Sequence, residues 1–113
     1  MLIYVAGPYS ADIKAERDHN VTVADEIGRI LTKKGHVPFV PHKMTWRWEE
    51  DADLSYDDFL RVDFVFLNLC DALFFIGPSP GANKELAQAQ QQGKRIFYSL
   101  SEVPVVVQRE QSQ

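Results

Sequence analysis

A chain of 113 residues, 45% hydrophobic and 25% charged, has room for one domain with a single core and is too apolar for a disordered segment. The net charge of −4 leaves no basic footprint for a nucleic-acid polymer, although a small anion held by backbone N–H groups stays possible. A single cysteine, Cys70, rules out an intrachain disulfide and a cysteine-based zinc site, and no apolar run approaches the ~18 residues of a membrane span.

The chain opens on Leu2–Ala6, a continuous β-rich run without a basic flank, which reads as a first strand and not as a leader. A cytoplasmic protein with no membrane partner is expected. Gly7-Pro8-Tyr9-Ser10 ends the strand. A helix follows, with Val23, Ile27, Ile30 and Leu31 on one face, Lys33-Lys34 in its last turn and Gly35 as its stop. Ser10 and Asp12 are the candidate caps for its start.

His36–Val40 is the second strand, and Pro38, which has no N–H, assigns it to a sheet edge. Residues 41–54 follow neither period and read as a long functional loop that has room for one helical turn. Ser55-Tyr56-Asp57-Asp58 has capping-box spacing and starts a helix through Leu69 that is hydrophobic all round. Such a helix is expected to be buried by the sheet and by a partner subunit.

Ala72–Ile76 is the third strand, followed by the small-residue loop at 77–81, a helix to about Gln92 and a fourth strand at Arg95–Leu100. Pro104–Val107 is a candidate fifth strand and residues 109–113 a polar tail. The alternation predicts an α/β, flavodoxin-like three-layer α/β/α sandwich over 1–108. Its four- to five-stranded parallel sheet has the order 2-1-3-4(-5).

Open sheets of this kind bind ligands outside the carboxyl ends of their strands. That rim carries Gly7–Ser10 and the stretch Ser79, Gly81, Ala82 and Glu85. Glu85 is either a helix-start acid favoured by the dipole or a carboxylate available for chemistry, and the same dipole would keep it ionised. Asp63 lies on an apolar stripe between Phe59 and Leu67, and Arg61 does not share its face, so a buried carboxylate there points to function. Two carboxyls facing one crevice are the minimum equipment for glycosyl transfer.

Tyr4, Tyr9, Trp46 and Trp48 offer aromatic surface for a planar ring, Tyr4 being equally a core residue, and His42 is a candidate donor to a ligand. His19, His36 and His42 lack i, i+4 spacing, so no metal is expected. Neither a dinucleotide fingerprint nor a phosphate-binding P-loop occurs.

The ordered set Ile3-Tyr4-Val5-Ala6-Gly7-Pro8, Gly35-His36-x-Pro38-x-x-Pro41, Asp63 before Asp71-Ala72-Leu73, Ser79-x-Gly81-x-x-x-Glu85 and Ala89-x-x-x-Gly93-Lys94 resembles the nucleoside 2-deoxyribosyltransferase family and its nucleotide N-hydrolase relatives. The resemblance spans residues 3 to about 98. It implies that Glu85 attacks C1′ and becomes a covalent deoxyribosyl ester, that Asp63 assists the base or sugar, and that Tyr4 orients the nucleophile. It also implies no cofactor or metal, a small nucleoside or nucleotide as the partner, and a homodimer or higher homo-oligomer.

Ser79 stands where the transferases carry a base-holding aspartate and resembles the hydrolases, in which a serine binds the 5′-phosphate. Pro8 and Ser10 stand where those hydrolases carry serine and arginine. Transfer and hydrolysis both remain open on these residues, as do a non-catalytic nucleotide-binding module and a flavin-binding scaffold.

Overall fold

The computed structural model describes residues 1–106. Four strands form one parallel sheet in the order β2-β1-β3-β4, with β1 at Leu2–Ala6, β2 at Val37–Phe39, β3 at Ala72–Phe75 and β4 at Arg95–Phe97. In register, Tyr4 of β1 lies beside Phe39 and Leu73, and Phe74 of β3 beside Phe97. Pro38 sits on the outer strand β2, where its missing N–H costs the ladder nothing.

Helix α1, Lys14–Lys33, covers one face of the sheet, while α3, Tyr56–Leu69, and α4, Pro80–Gln91, cover the other. This is the expected flavodoxin-like α/β/α sandwich. Side chains alternate across a strand, so Ile3 and Val5 join Ala24 and Leu31 in one core cluster while Tyr4 and Ala6 join Leu67, Leu73 and Ala89 in the other. Cys70 packs in the second cluster.

Several local expectations are corrected. Helix α1 starts from Ile13, which makes no side-chain cap, so neither Ser10 nor Asp12 serves there. Its fully buried stripe is Ala24, Gly28 and Leu31, rotated by one residue from the apolar face read in the sequence. Gly28 explains the rotation: a Cβ there would lie 2.8 Å from Val40 Cγ2, so the bare backbone lets the chain beyond β2 come close.

The stretch 41–54 is not a simple loop. Pro41 at a helix start, which needs no N–H, opens the short helix α2, Pro41–Thr45, and a 3-10 turn follows at Trp48–Glu50.

The expected all-round burial of α3 is not met within the chain, because Val65 and Leu69 are 57% and 67% exposed. Residues 104–106 form no strand. They are tied to α1 instead: Lys34 Nζ donates to the carbonyls of Leu100 (2.7 Å) and Val103 (3.0 Å), and its own carbonyl accepts from the N–H of Val106 (2.7 Å). His36, 3% exposed, bonds the Pro104 carbonyl through Nε2 at 2.7 Å. Val107 and the polar tail expected at 109–113 lie outside the described residues. No helix among the described residues is long and apolar enough to cross a membrane.

Candidate active site

The period of two in β1 turns Tyr4 toward the α3/α4 face, where it is fully buried. There its hydroxyl donates to Glu85 Oε2 of α4. That helix begins at Pro80 and is capped by Ser79, whose Oγ accepts the N–H of Ala82 at 3.1 Å. Ala82, Glu85 and Ala89, spaced i, i+3, i+7, form its buried stripe.

Glu85 therefore stands in the second turn, and the first turn carries no acid. The helix-start explanation and the ionising dipole both fall away with that position. Burial instead pushes the Glu85 carboxyl up to about 8, the bond from Tyr4 draws it down, and the charge of Asp63 adds to the rise. Burial likewise holds the Tyr4 phenol well above its ordinary value, with the neighbouring Glu85 and Asp63 adding to the effect.

Asp63 comes from α3, whose start is fixed by a capping box. Asp58 N–H donates to Ser55 Oγ (3.2 Å), and Asp58 Oδ2 accepts from Ser55 N–H (2.8 Å). Arg61 pairs with Asp58 at 3.4 Å and leaves Asp63 alone. Asp63 Oδ1 is buried and has no hydrogen-bond partner among the described residues, and burial pushes the carboxyl up to about 7.

The first loop is pinned from α2. Tyr9 Oη donates to the Thr45 carbonyl at 3.0 Å, and His42 Nε2 lies 2.9 Å from the Pro8 carbonyl. His42 is 3% exposed, and burial lowers its pKa. The ring is thus neutral near pH 7 and donates through Nε2 to Pro8, which leaves Nδ1 buried and unpartnered among the described residues.

Of the residues singled out in the sequence, Gly7, Tyr9, Ser10, His42, Asp63, Ser79, Gly81, Ala82 and Glu85 line one cavity of about 200 Å³. Tyr4 lies beneath it as the support of Glu85. Pro8 contributes its carbonyl to His42 and does not line the wall.

Trp46 lines a second, outer cavity of about 430 Å³. Tyr9, Ser10, Tyr56 and Phe59 belong to both. Sequence reasoning missed Thr45, Tyr56, Phe59 and Leu60 as cavity walls. Phe59 alone carried a signal, standing one turn before Asp63 on the same stripe.

The inner cavity brings two desolvated carboxyls together with no lysine or arginine on its walls among the described residues. Where two such groups share a site, protons leave in two coupled steps, and near neutrality the pair keeps one proton and about one charge. That combination suits a reaction needing a nucleophile and an acid at once. Among the described residues no group of three or more His, Cys, Asp or Glu is arranged to hold a metal ion.

Residues 1–99 match the sequence family described as a domain of unknown function (DUF7768). No curated protein matches the chain. Among solved structures it is similar to a 2-deoxyribosyltransferase from Bacillus psychrosaccharolyticus, with a TM-score of 0.65 and 19% identity over 85% of this chain and 69% of that one. It is also similar to a 2-desoxiribosyltransferase from Leishmania mexicana, with a TM-score of 0.58 and 20% identity over 84% of this chain and 61% of that one. The chain thus spans about two thirds of these structures, and at such identities the likeness is one of fold.

Proposed function

The chain belongs to the family described as a domain of unknown function (DUF7768), and we propose that it cleaves or transfers at the N-glycosidic bond of a 2′-deoxynucleoside or its 5′-monophosphate. The observation that carries this reading is the Tyr4–Glu85 hydrogen bond set beside Asp63 in one cavity without cations. The shared fold with two deoxyribosyltransferases supports it.

In this reading the Glu85 carboxylate attacks C1′, the C1′–N bond breaks, and Asp63 gives its proton to the departing base. Water or a second base then attacks C1′, returns a proton to Asp63 and frees Glu85. The division of labour follows from the partners. At rest burial holds Glu85 (about 8) above Asp63 (about 7), so the proton passes from Glu85 to Asp63 before attack. The Tyr4 bond, which has no counterpart at Asp63 Oδ1 among the described residues, favours the charge on Glu85 in that step. Tyr56 and Phe59, on the wall that the two cavities share, offer the planar base its stacking surface.

A homodimer or higher homo-oligomer, with a second copy covering Val65 and Leu69, is part of the proposal, and light scattering on the eluting protein checks it.

Incubation with a panel of deoxynucleosides and their monophosphates, with chromatography for free base, tests the chemistry. Base exchange without net loss of nucleoside identifies a transferase, and release of the free sugar or its phosphate a hydrolase. Glu85→Ala is expected to lose turnover by at least ~1,000-fold while keeping its circular dichroism. Normal turnover in that variant overturns the reading, and binding without any product turns it into a binding module.

A further inference from the structure

The charges around the two cavities are unevenly committed. Among the described residues the inner cavity has two carboxyls and neither lysine nor arginine. The helix start that opens onto it is largely committed: Pro80 has no N–H, the Ala82 N–H goes to Ser79 Oγ at 3.1 Å, and the Asn83 N–H goes to the Ser79 carbonyl at 2.8 Å, which leaves the Gly81 N–H. Little of the usual anion-holding capacity of a helix N-terminus is left over.

The outer cavity has two cations, Lys14 and Arg17, against three acids, Asp18, Glu49 and Glu50. Lys14 Nζ pairs with Asp18 Oδ2 at 2.8 Å. Glu49 is the hub of the rest: Oε2 lies 3.1 Å from Arg17 Nε, and Oε1 accepts from Ser10 Oγ at 2.9 Å. Arg17 Nη1 is turned to the Ala11 carbonyl at 2.6 Å. Ser10 lines both cavities, as Tyr9, Tyr56 and Phe59 do, and its hydroxyl and the Arg17 guanidinium of the outer wall are both held by Glu49.

We propose that Glu49 is a specificity-determining residue that reserves this site for uncharged nucleosides, by occupying the Ser10 hydroxyl and the Arg17 guanidinium that a phosphate would need. The inference rests on the site assignment under Proposed function and narrows its substrate class. A phosphate dianion entering here must displace the Glu49 carboxylate from Arg17, and meets Glu50 and the inner pair without a cation of their own among the described residues. A terminal hydroxyl meets no such opposition and can take up hydrogen bonds with Ser10 and Glu49. The device is one of exclusion, built from a like charge and not from bulk.

The test is equilibrium binding by calorimetry on the intact protein. It uses a deoxynucleoside and its 5′-monophosphate as probes, for the wild type, Glu49→Ala and the double variant Glu49→Ala/Arg17→Ala. The wild type is expected to prefer the nucleoside by ~10-fold or more. Glu49→Ala is expected to close or reverse that preference through tighter monophosphate binding, and removal of Arg17 in the same background to take the gain away. Opening a packing gap at position 49 would not produce a gain that depends on Arg17.

Equal or tighter monophosphate binding by the wild type overturns the inference, as does an unchanged ratio in Glu49→Ala. Turnover read alongside separates this from the parent reading. Preferred turnover of monophosphates sinks the exclusion and leaves the glycosidic chemistry standing. Selective nucleoside binding without product sinks the chemistry and leaves the exclusion standing, and failure of both probes to bind overturns both.

Discussion

The inner and outer cavities are built from similar polar residues and differ in what surrounds them. The inner one lies beyond the end of β1 among the first loop, α2, α3 and α4, where packing excludes water and no described lysine or arginine stands on the walls, so Asp63 and Glu85 are pushed toward their neutral forms. The outer one is made from the first loop, the first half of α1, residues 46–54 and the start of α3, where carboxylates sit in partly exposed pairs, as Arg17–Glu49 and Lys14–Asp18 do. A carboxyl is available for chemistry where the fold withholds its counter-ion. Where the fold supplies one, the same group sorts and fastens.

The contrast is broken most sharply by removing the one donor that the inner pair has among the described residues. Tyr4→Phe keeps the buried ring and loses the hydroxyl bond to Glu85, and turnover is expected to fall ~100-fold in initial-rate measurements. Because that bond draws Glu85 down, its loss should also move the acid limb of the rate profile to higher pH.

The pH profile itself sharpens the comparison. A carboxyl pair pushed up to about 7 and about 8 gives a narrow bell, falling on the acid side as the single charge is lost and on the alkaline side as the last proton leaves. Stability has its own sign. Both carboxyls are raised in the folded state above the ordinary value near ~4, so their contribution is complete below that value and is lost as pH rises through the folded pKa. Melting temperature should therefore fall between about pH 4 and pH 8 to the extent these groups govern it, and Glu85→Gln should flatten the fall.

The smallest effect belongs outside. The Lys14–Asp18 pair is 69% and 49% exposed at its side chains, and Lys14→Ala should change denaturant stability by less than ~0.5 kcal/mol.

Legibility in the sequence followed the same division. Elements set by local rules were readable: β1 by its apolar run, α3 by the Ser55–Asp58 box, and the outer place of β2 by Pro38. The helix within 41–54 was hard to place because the segment shows neither apolar period, and only Pro41, which needs no N–H at a helix's first position, marks its start.

The residues that meet at the inner cavity were also readable, since β1 alternation and α3 and α4 periodicity place them. Their protonation was not, because it depends on how much water three separate elements exclude from Glu85 and Asp63. The position of Glu85 in its helix was misjudged for a related reason. Where α4 starts depends on the Ser79 cap and Pro80, and shifting that start by one turn converts a dipole acid into a buried one. Tyr56 was invisible as a shared wall, since Gly81, where a Cβ would lie 3.3 Å from the phenol oxygen, reveals the approach only in three dimensions.

The recurring sequence unit stops at residue 99, whereas the tether from Lys34 reaches Val106. A fragment cut at the family boundary would strip both carbonyls from the Lys34 ammonium, remove the Pro104 acceptor from His36 and take Val103, 3% exposed, out of the first core cluster. The stretch that relatives share by descent is thus shorter than the stretch that must be excised for grafting or fusion, and a junction in any chimera belongs beyond Val106.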